Sequence, residues 1–156
     1  MVILRANHKD LGIKGFTLVE LIVVIAIIAV LLTISPSMFT AFRQRTNLRE
    51  AAGALAEGMK LAKQRAVAEN VNYTVTFDIN NNSYEIKGGT YDVTKKLSDF
   101  GSGISILSQN YSGGNSGAVT FQTRGTCNLA GTVTLKNILN SQIAITTNTM
   151  GRVTTN

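Results

Sequence analysis

From Leu21 to Ile34 every residue except Thr33 is apolar, and the run reaches back to Phe16 with only Thr17 and Glu20 to interrupt it. A helix that is apolar all round must be covered on every side, so this segment cannot lie on the wet surface of a soluble fold. Its length is close to the roughly 20 residues that cross a bilayer core. The sequence therefore predicts a membrane-inserted N-terminal helix. Ahead of it Arg5, Lys9 and Lys14 stand against one acid, Asp10. Positive flanks stay in the cytoplasm, which puts the remaining chain on the far side of the membrane.

Glu20 does not fit a simple anchor. An ionised acid within a membrane helix costs roughly 2.5–3.5 kcal/mol on insertion scales, so it calls for a functional reason. A cleaved secretory signal accounts for it no better: Thr33-Ile34-Ser35 is a weak small-x-small site, and Pro36 would follow the cut. Phe16 and Glu20 are four residues apart, on one helical face, and an acid in the first turn suits the positive end of the helix dipole.

Beyond Ser35 the pattern becomes amphipathic. Leu48, Ala52, Leu55, Met59, Ala62 and Ala66 recur at steps of four and three, with Arg49, Glu50, Glu57, Lys60, Lys63 and Glu69 on the other face. One continuous helix from Phe16 to Glu69 would run about 80 Å. Val71, Tyr73, Val75 and Phe77 then alternate with polar residues, and Asn80-Asn81-Asn82 marks a turn before Tyr84-Glu85-Ile86. Further strands are expected at 104–107, 119–122, 132–136, 142–146 and 152–154. The segment GGNSG, 113–117, has no following Lys and Ser or Thr and reads as a surface loop, not a phosphate loop. The fold class expected is α+β: a long N-terminal helix packed on small antiparallel sheets.

No catalytic constellation stands out. His8 is the sole histidine and lies in the basic leader; Asp78, Glu85, Asp92 and Asp99 are scattered among turn residues without metal-ligand spacing. Cys127 has no cysteine to pair with and no histidine to activate it, so a packed thiol is expected. These observations predict neither an enzyme nor a cofactor.

The stretch KGFTLVEL, Lys14 to Leu21, resembles the processing site of type IV prepilins and type II secretion pseudopilins, and it leads directly into the apolar run. The resemblance implies that a prepilin peptidase cuts between Gly15 and Phe16 on the cytoplasmic side and methylates the new amino terminus of Phe16. It also implies that Glu20 serves assembly, pairing with the terminal amine of a neighbouring subunit. A helix-capping acid with no assembly role is the alternative. Pro36 comes one residue earlier than the proline common in that family.

Within the family, LREAAGALAEGMKLAKQRAVAENVNYTVTF, with FQTRGT at Phe121 and the closing GRVTTN, resembles the GspH/FimT group of minor pilins and pseudopilins. The pilin-like chain so implied has a leader at 1–15, a transmembrane or filament-core helix at 16–36, and a globular domain at 37–156. That domain is expected in the periplasm or in an extracellular filament. Implied partners are the peptidase, other pilins or pseudopilins, the inner-membrane assembly platform and membrane lipid.

Some members of this group bind DNA through a C-terminal Gly-Arg-x-Arg element. Here Arg152 is present and Thr154 replaces the second arginine, leaving Arg152 and Arg124 as candidate nucleic-acid contacts. Removing the leader's three bases and one acid lowers the net charge from +6 to +4, and each missing phosphate contact weakens electrostatic affinity. Three readings thus stand: an assembling minor subunit, a DNA receptor, and a tethered domain that never polymerises. Arg43, Arg45 and Arg49 sit where anionic lipid could meet them, although the reading preferred for them is partly a solvated helix face and partly a filament contact.

Overall fold

The computed structural model describes residues 15–32, 36–111 and 116–156. The leader with His8, the residues 33–35 before Pro36, and most of the GGNSG segment lie outside the described residues, and so does the continuity of the expected 80 Å helix. The chain divides between Pro36 and Ser37 into two units. The first holds helix α1, Leu18–Leu32, of 15 residues, none of them buried within the chain. No helix among the described residues is long and apolar enough to cross a membrane; the expected run to Ile34 extends past the last described residue of α1.

Helix α2, Pro36–Glu69, leads into the second unit. The predicted stripe is its buried face: Leu48, Ala52, Leu55, Met59, Ala62 and Ala66 are each at most 1% exposed. Alanine and glycine dominate because the helix approaches the sheet closely, and a Cβ on Gly58 would lie 2.9 Å from Ile86 Cδ1. The larger stripe residues contribute roughly 1.5–3 kcal/mol each by burial. The helix stops at Asn70, whose φ of 54° supplies the left-handed turn that ends a helix. Glu69 secures that corner by accepting from Tyr73 Oη at 2.6 Å and Arg65 Nη1 at 3.1 Å, while the Arg65 guanidinium lies 4.2 Å from the Tyr91 ring centre.

Among the described residues eight strands follow, all antiparallel. β1 (Tyr73–Asp78), β2 (Ser83–Gly88), β3 (Tyr91–Lys96) and β5 (Ala118–Phe121) form one sheet in the order β3-β2-β1-β5. β4 (Ser105–Gln109), β6 (Gly131–Lys136), β7 (Gln142–Thr147) and β8 (Val153–Thr155) form the other, in the order β4-β6-β7-β8. Alternation sorts β1: Tyr73, Val75 and Phe77 are buried while Thr74 and Thr76 are half-buried, and Thr74 bonds its cross-strand neighbour Thr120 at 3.0 Å. Tyr111 ties the two sheets together. Its ring stacks on Phe77 of β1, 5.2 Å between centres, and its hydroxyl donates to Thr147 of β7 at 3.0 Å.

The fold class is the α+β arrangement expected, with two differences in detail. β1 begins at Tyr73 and not Val71, because Val71 follows the left-handed turn and is 40% exposed. β3 has no counterpart among the predicted strands: only Tyr91 and Val93 are even half-buried on this edge strand, so it lacks the alternating apolar signal.

The buried cluster runs from Leu48 to Val153, wholly inside the second unit. A chain lacking residues 1–40 is therefore expected to fold as a monomer with a cooperative melting transition. In that fragment Gly151→Ala should destabilise by roughly 2–3 kcal/mol: φ is 70°, and a Cβ there would land on the Gly125 carbonyl oxygen. Gly53→Ala, in α2 with nothing within 4 Å of the added carbon, should instead stabilise by up to about 1 kcal/mol. Urea melts of the two variants would reveal the opposite signs.

Candidate functional site

Gly15 and Phe16 precede α1, and Phe16 is 81% exposed. A Cβ added to Gly15 would meet nothing within 4 Å. No packing against the described residues therefore requires a glycine at this position.

Thr17 and Glu20 form a reciprocal cap on α1. The Glu20 N–H donates to Thr17 Oγ1 at 3.2 Å, and the Thr17 N–H donates to Glu20 Oε2 at 3.2 Å. The Thr17 hydroxyl also donates to the same Oε2, at 3.3 Å. Two helix-start N–H groups are thereby satisfied, as in a capping box. Thr17 is a residue that the sequence reading passed over, although Thr-x-x-Glu ahead of an apolar run is the signature of this cap. The arrangement gives Glu20 its helix-capping role. Among the described residues the bonds run through Oε2, so that oxygen orders the helix start.

Within the second unit, two loops that carry separate sequence motifs come together. Gly125, in the loop after β5, and Gly151, in the turn before β8, touch through the Gly125 carbonyl, and the Lys63 side chain packs against both. Cys127 joins the loops: its N–H donates to the Thr149 carbonyl at 3.0 Å and its thiol to the Asn148 carbonyl at 2.7 Å. Burial pushes the Cys127 thiol above its usual range, which suits a packed group and not a nucleophile. Lys63 Nζ donates to the Met150 carbonyl at 3.2 Å.

Beside these loops a groove of about 580 Å³ runs between α2 and β8, with Val67, Ala68 and Val153 along it and Lys60, Lys63 and Arg152 among its lining residues. Arg124 is exposed next to Gly125 and is not part of the groove lining. Arg152 Nα donates to Asn148 Oδ1 at 2.9 Å, so the backbone at Arg152 is fixed while its side chain is exposed. Among the described residues no three His, Cys, Asp or Glu side chains are placed to hold a metal ion.

The pattern for a prokaryotic N-terminal methylation motif matches residues 12–35, and the type II transport protein GspH family matches residues 51–151. No curated protein sequence matches the chain. Solved folds are similar, two of them as follows. The minor pseudopilin EpsH from the type 2 secretion system of Vibrio cholerae superposes with a TM-score of 0.57 at 10% identity, covering 70% of this chain and 96% of that one. The type IV minor pilin FimU of Pseudomonas aeruginosa superposes with a TM-score of 0.57 at 14% identity, covering 74% and 92%. Both likenesses speak to the fold. Helix α2 with its two small sheets, set behind a methylation motif and matched over well more than half its length, makes this chain a member of the type II transport protein GspH family, with the pilin-like fold of minor pseudopilins and minor pilins.

Proposed function

We propose that the chain is a minor pilin or pseudopilin subunit: cut after Gly15, methylated on Phe16, held in the inner membrane by residues 16–36 and displaying residues 37–156 beyond it. It then enters a type IV pilus or type II secretion pseudopilus, as a subunit that primes or caps the filament. The activity is assembly and not catalysis. One observation carries this reading above all: α1 is apolar but for Glu20, buries none of its residues within the chain, and has that carboxylate capping its first turn. A water-exposed helix of that kind needs either lipid or neighbouring helices around it. The prepilin peptidase, the assembly platform and other pilin-like subunits are the partners such a subunit requires. Affinity purification of the tagged chain from gently solubilised membranes should bring down other subunits with the same N-terminal motif. Recovery of the chain alone would favour a tethered domain that never polymerises.

A second reading, DNA capture, draws support from the placement of Lys60, Lys63 and Arg152 along one groove. If duplex DNA binds there, the 41–156 fragment should bind it with an affinity that falls steeply with salt, and Arg152→Ala should lower both the affinity and the salt slope. Salt-independent or undetectable binding rules this reading out.

A further inference from the structure

We infer that one end of the globular unit, formed by the start of α2 and the turn between β6 and β7, docks on the surface of an anionic lipid bilayer. The turn is built to hold its tip rigidly. Asn137 is 2% exposed; its Oδ1 accepts from the N–H groups of Leu139 and Ser141, each at 3.0 Å, and its Nδ2 donates to the Gln44 carbonyl of α2 at 3.2 Å. Asn140, at φ 57°, closes the turn. On this fixed tip stand two aliphatic side chains, Ile138 and Leu139, 64% and 46% exposed. Turn tips are ordinarily polar, so two large aliphatics held there by a buried amide give up favourable burial without joining the core.

The same end carries a second apolar set. Met38, Phe39 and Phe42 on the first turns of α2 are 76%, 64% and 67% exposed. The bond from Asn137 to Gln44 ties the turn to that part of the helix, and Gly103 packs against Ile138. Arginines accompany the apolar residues. The Arg43 guanidinium lies 5.9 Å from the Phe39 ring centre, Arg45 and Arg49 are exposed, and no acid occurs between Ser37 and Arg49.

Exposed aromatic and aliphatic groups interleaved with guanidinium groups match an acyl-chain boundary beneath anionic headgroups, where apolar side chains sink roughly 5–10 Å and bases meet phosphate. The lipid is also within reach, resting here on the membrane-held reading above. Met38 follows Leu32 by six residues, a span of at most about 22 Å.

The chain has no tryptophan, so Leu139→Trp places a sole indole on the tip. Full-length protein bearing this change is reconstituted into vesicles of phosphatidylcholine with phosphatidylglycerol, using brominated acyl chains as the quencher. Docking predicts blue-shifted emission that bromolipid quenches by about twofold. Removing Arg45 or Arg49 by substitution with Ser should shift the docked-to-free ratio by about fivefold each, and replacing phosphatidylglycerol by neutral lipid should shift it further in the same direction. A water-like emission without quenching in protein that floats with the vesicles overturns the docking while leaving the membrane-held reading intact. Blue-shifted emission that bromolipid leaves untouched identifies a protein contact and overturns it too. Quenching equal in neutral and anionic vesicles overturns the headgroup recognition. Protein that fails to float with vesicles overturns both readings.

Discussion

Gly15→Val is expected to leave the chain at precursor length. Because a Cβ at this position would meet nothing within 4 Å among the described residues, the substitution disturbs no contact with them, and its effect is expected where a prepilin peptidase grips the bond before Phe16. A site shaped to a glycine excludes a branched side chain, and a pocket discriminates a few extra carbons by on the order of a hundredfold. In cells expressing the prepilin peptidase, wild-type chain should therefore be shortened by its leader within minutes of synthesis while Gly15→Val accumulates uncut. Membrane insertion should be unchanged, since the apolar run and its basic flank remain. Normal processing of Gly15→Val would place the cut elsewhere and reopen the secretory-signal alternative at Ser35.

The long-range half of this design was legible early because its signals are strong. The spacing of Leu48, Ala52, Leu55, Met59, Ala62 and Ala66 reports a single buried face, and every one of those residues is buried. Strands that alternate cleanly, such as Thr132 to Lys136, were equally readable because both faces of β6 differ in solvent. What escaped is what sequence periodicity does not encode. β3 is an edge strand with little to bury; its pairing comes from the partner strand and from the Lys87–Asp92 ion pair at 3.1 Å. Tyr111 lies in no regular strand, yet it bridges the two sheets through Phe77 and Thr147, contacts 34 and 36 residues away in the chain.

At the candidate sites the balance was similar. Gly15, Phe16 and Glu20 were singled out from a motif, but the reciprocal bonds of Thr17 with Glu20 depend on the backbone geometry of a helix start. The joining of Gly125 to Gly151 across 26 residues was not legible either, because each glycine alone reads as an ordinary turn residue. Only the folded chain brings Arg152 beside Lys60 and Lys63.

Glu20 carries the second large effect, and the cap makes it separable. Glu20→Ala removes both the Oε2 that caps α1 and the charge that the carboxylate can offer to a neighbour's amine. Glu20→Gln keeps an amide oxygen able to close the capping box, and removes only the charge. If the acid merely starts the helix, Glu20→Gln should behave as wild type and Glu20→Ala should lose a factor of about five at most. If it pairs with an amine in a water-poor bundle, both variants strand that amine, and incorporation should fall on the order of a hundredfold for each. Both should still insert and be cut after Gly15, so quantification of processed protein in membranes and in assembled material separates the two outcomes. Wild-type incorporation of Glu20→Gln would show that the carboxylate charge recruits nothing.

Intact-mass analysis of the wild-type chain recovered from sheared filaments, or from crosslinked assemblies of pilin-like subunits, reaches the central point most directly. A processed, assembling subunit should appear there as a chain beginning at Phe16 and heavier by one methyl group. A chain beginning at Met1 or at Pro36, or one absent from every such assembly while abundant in the membrane, would contradict it.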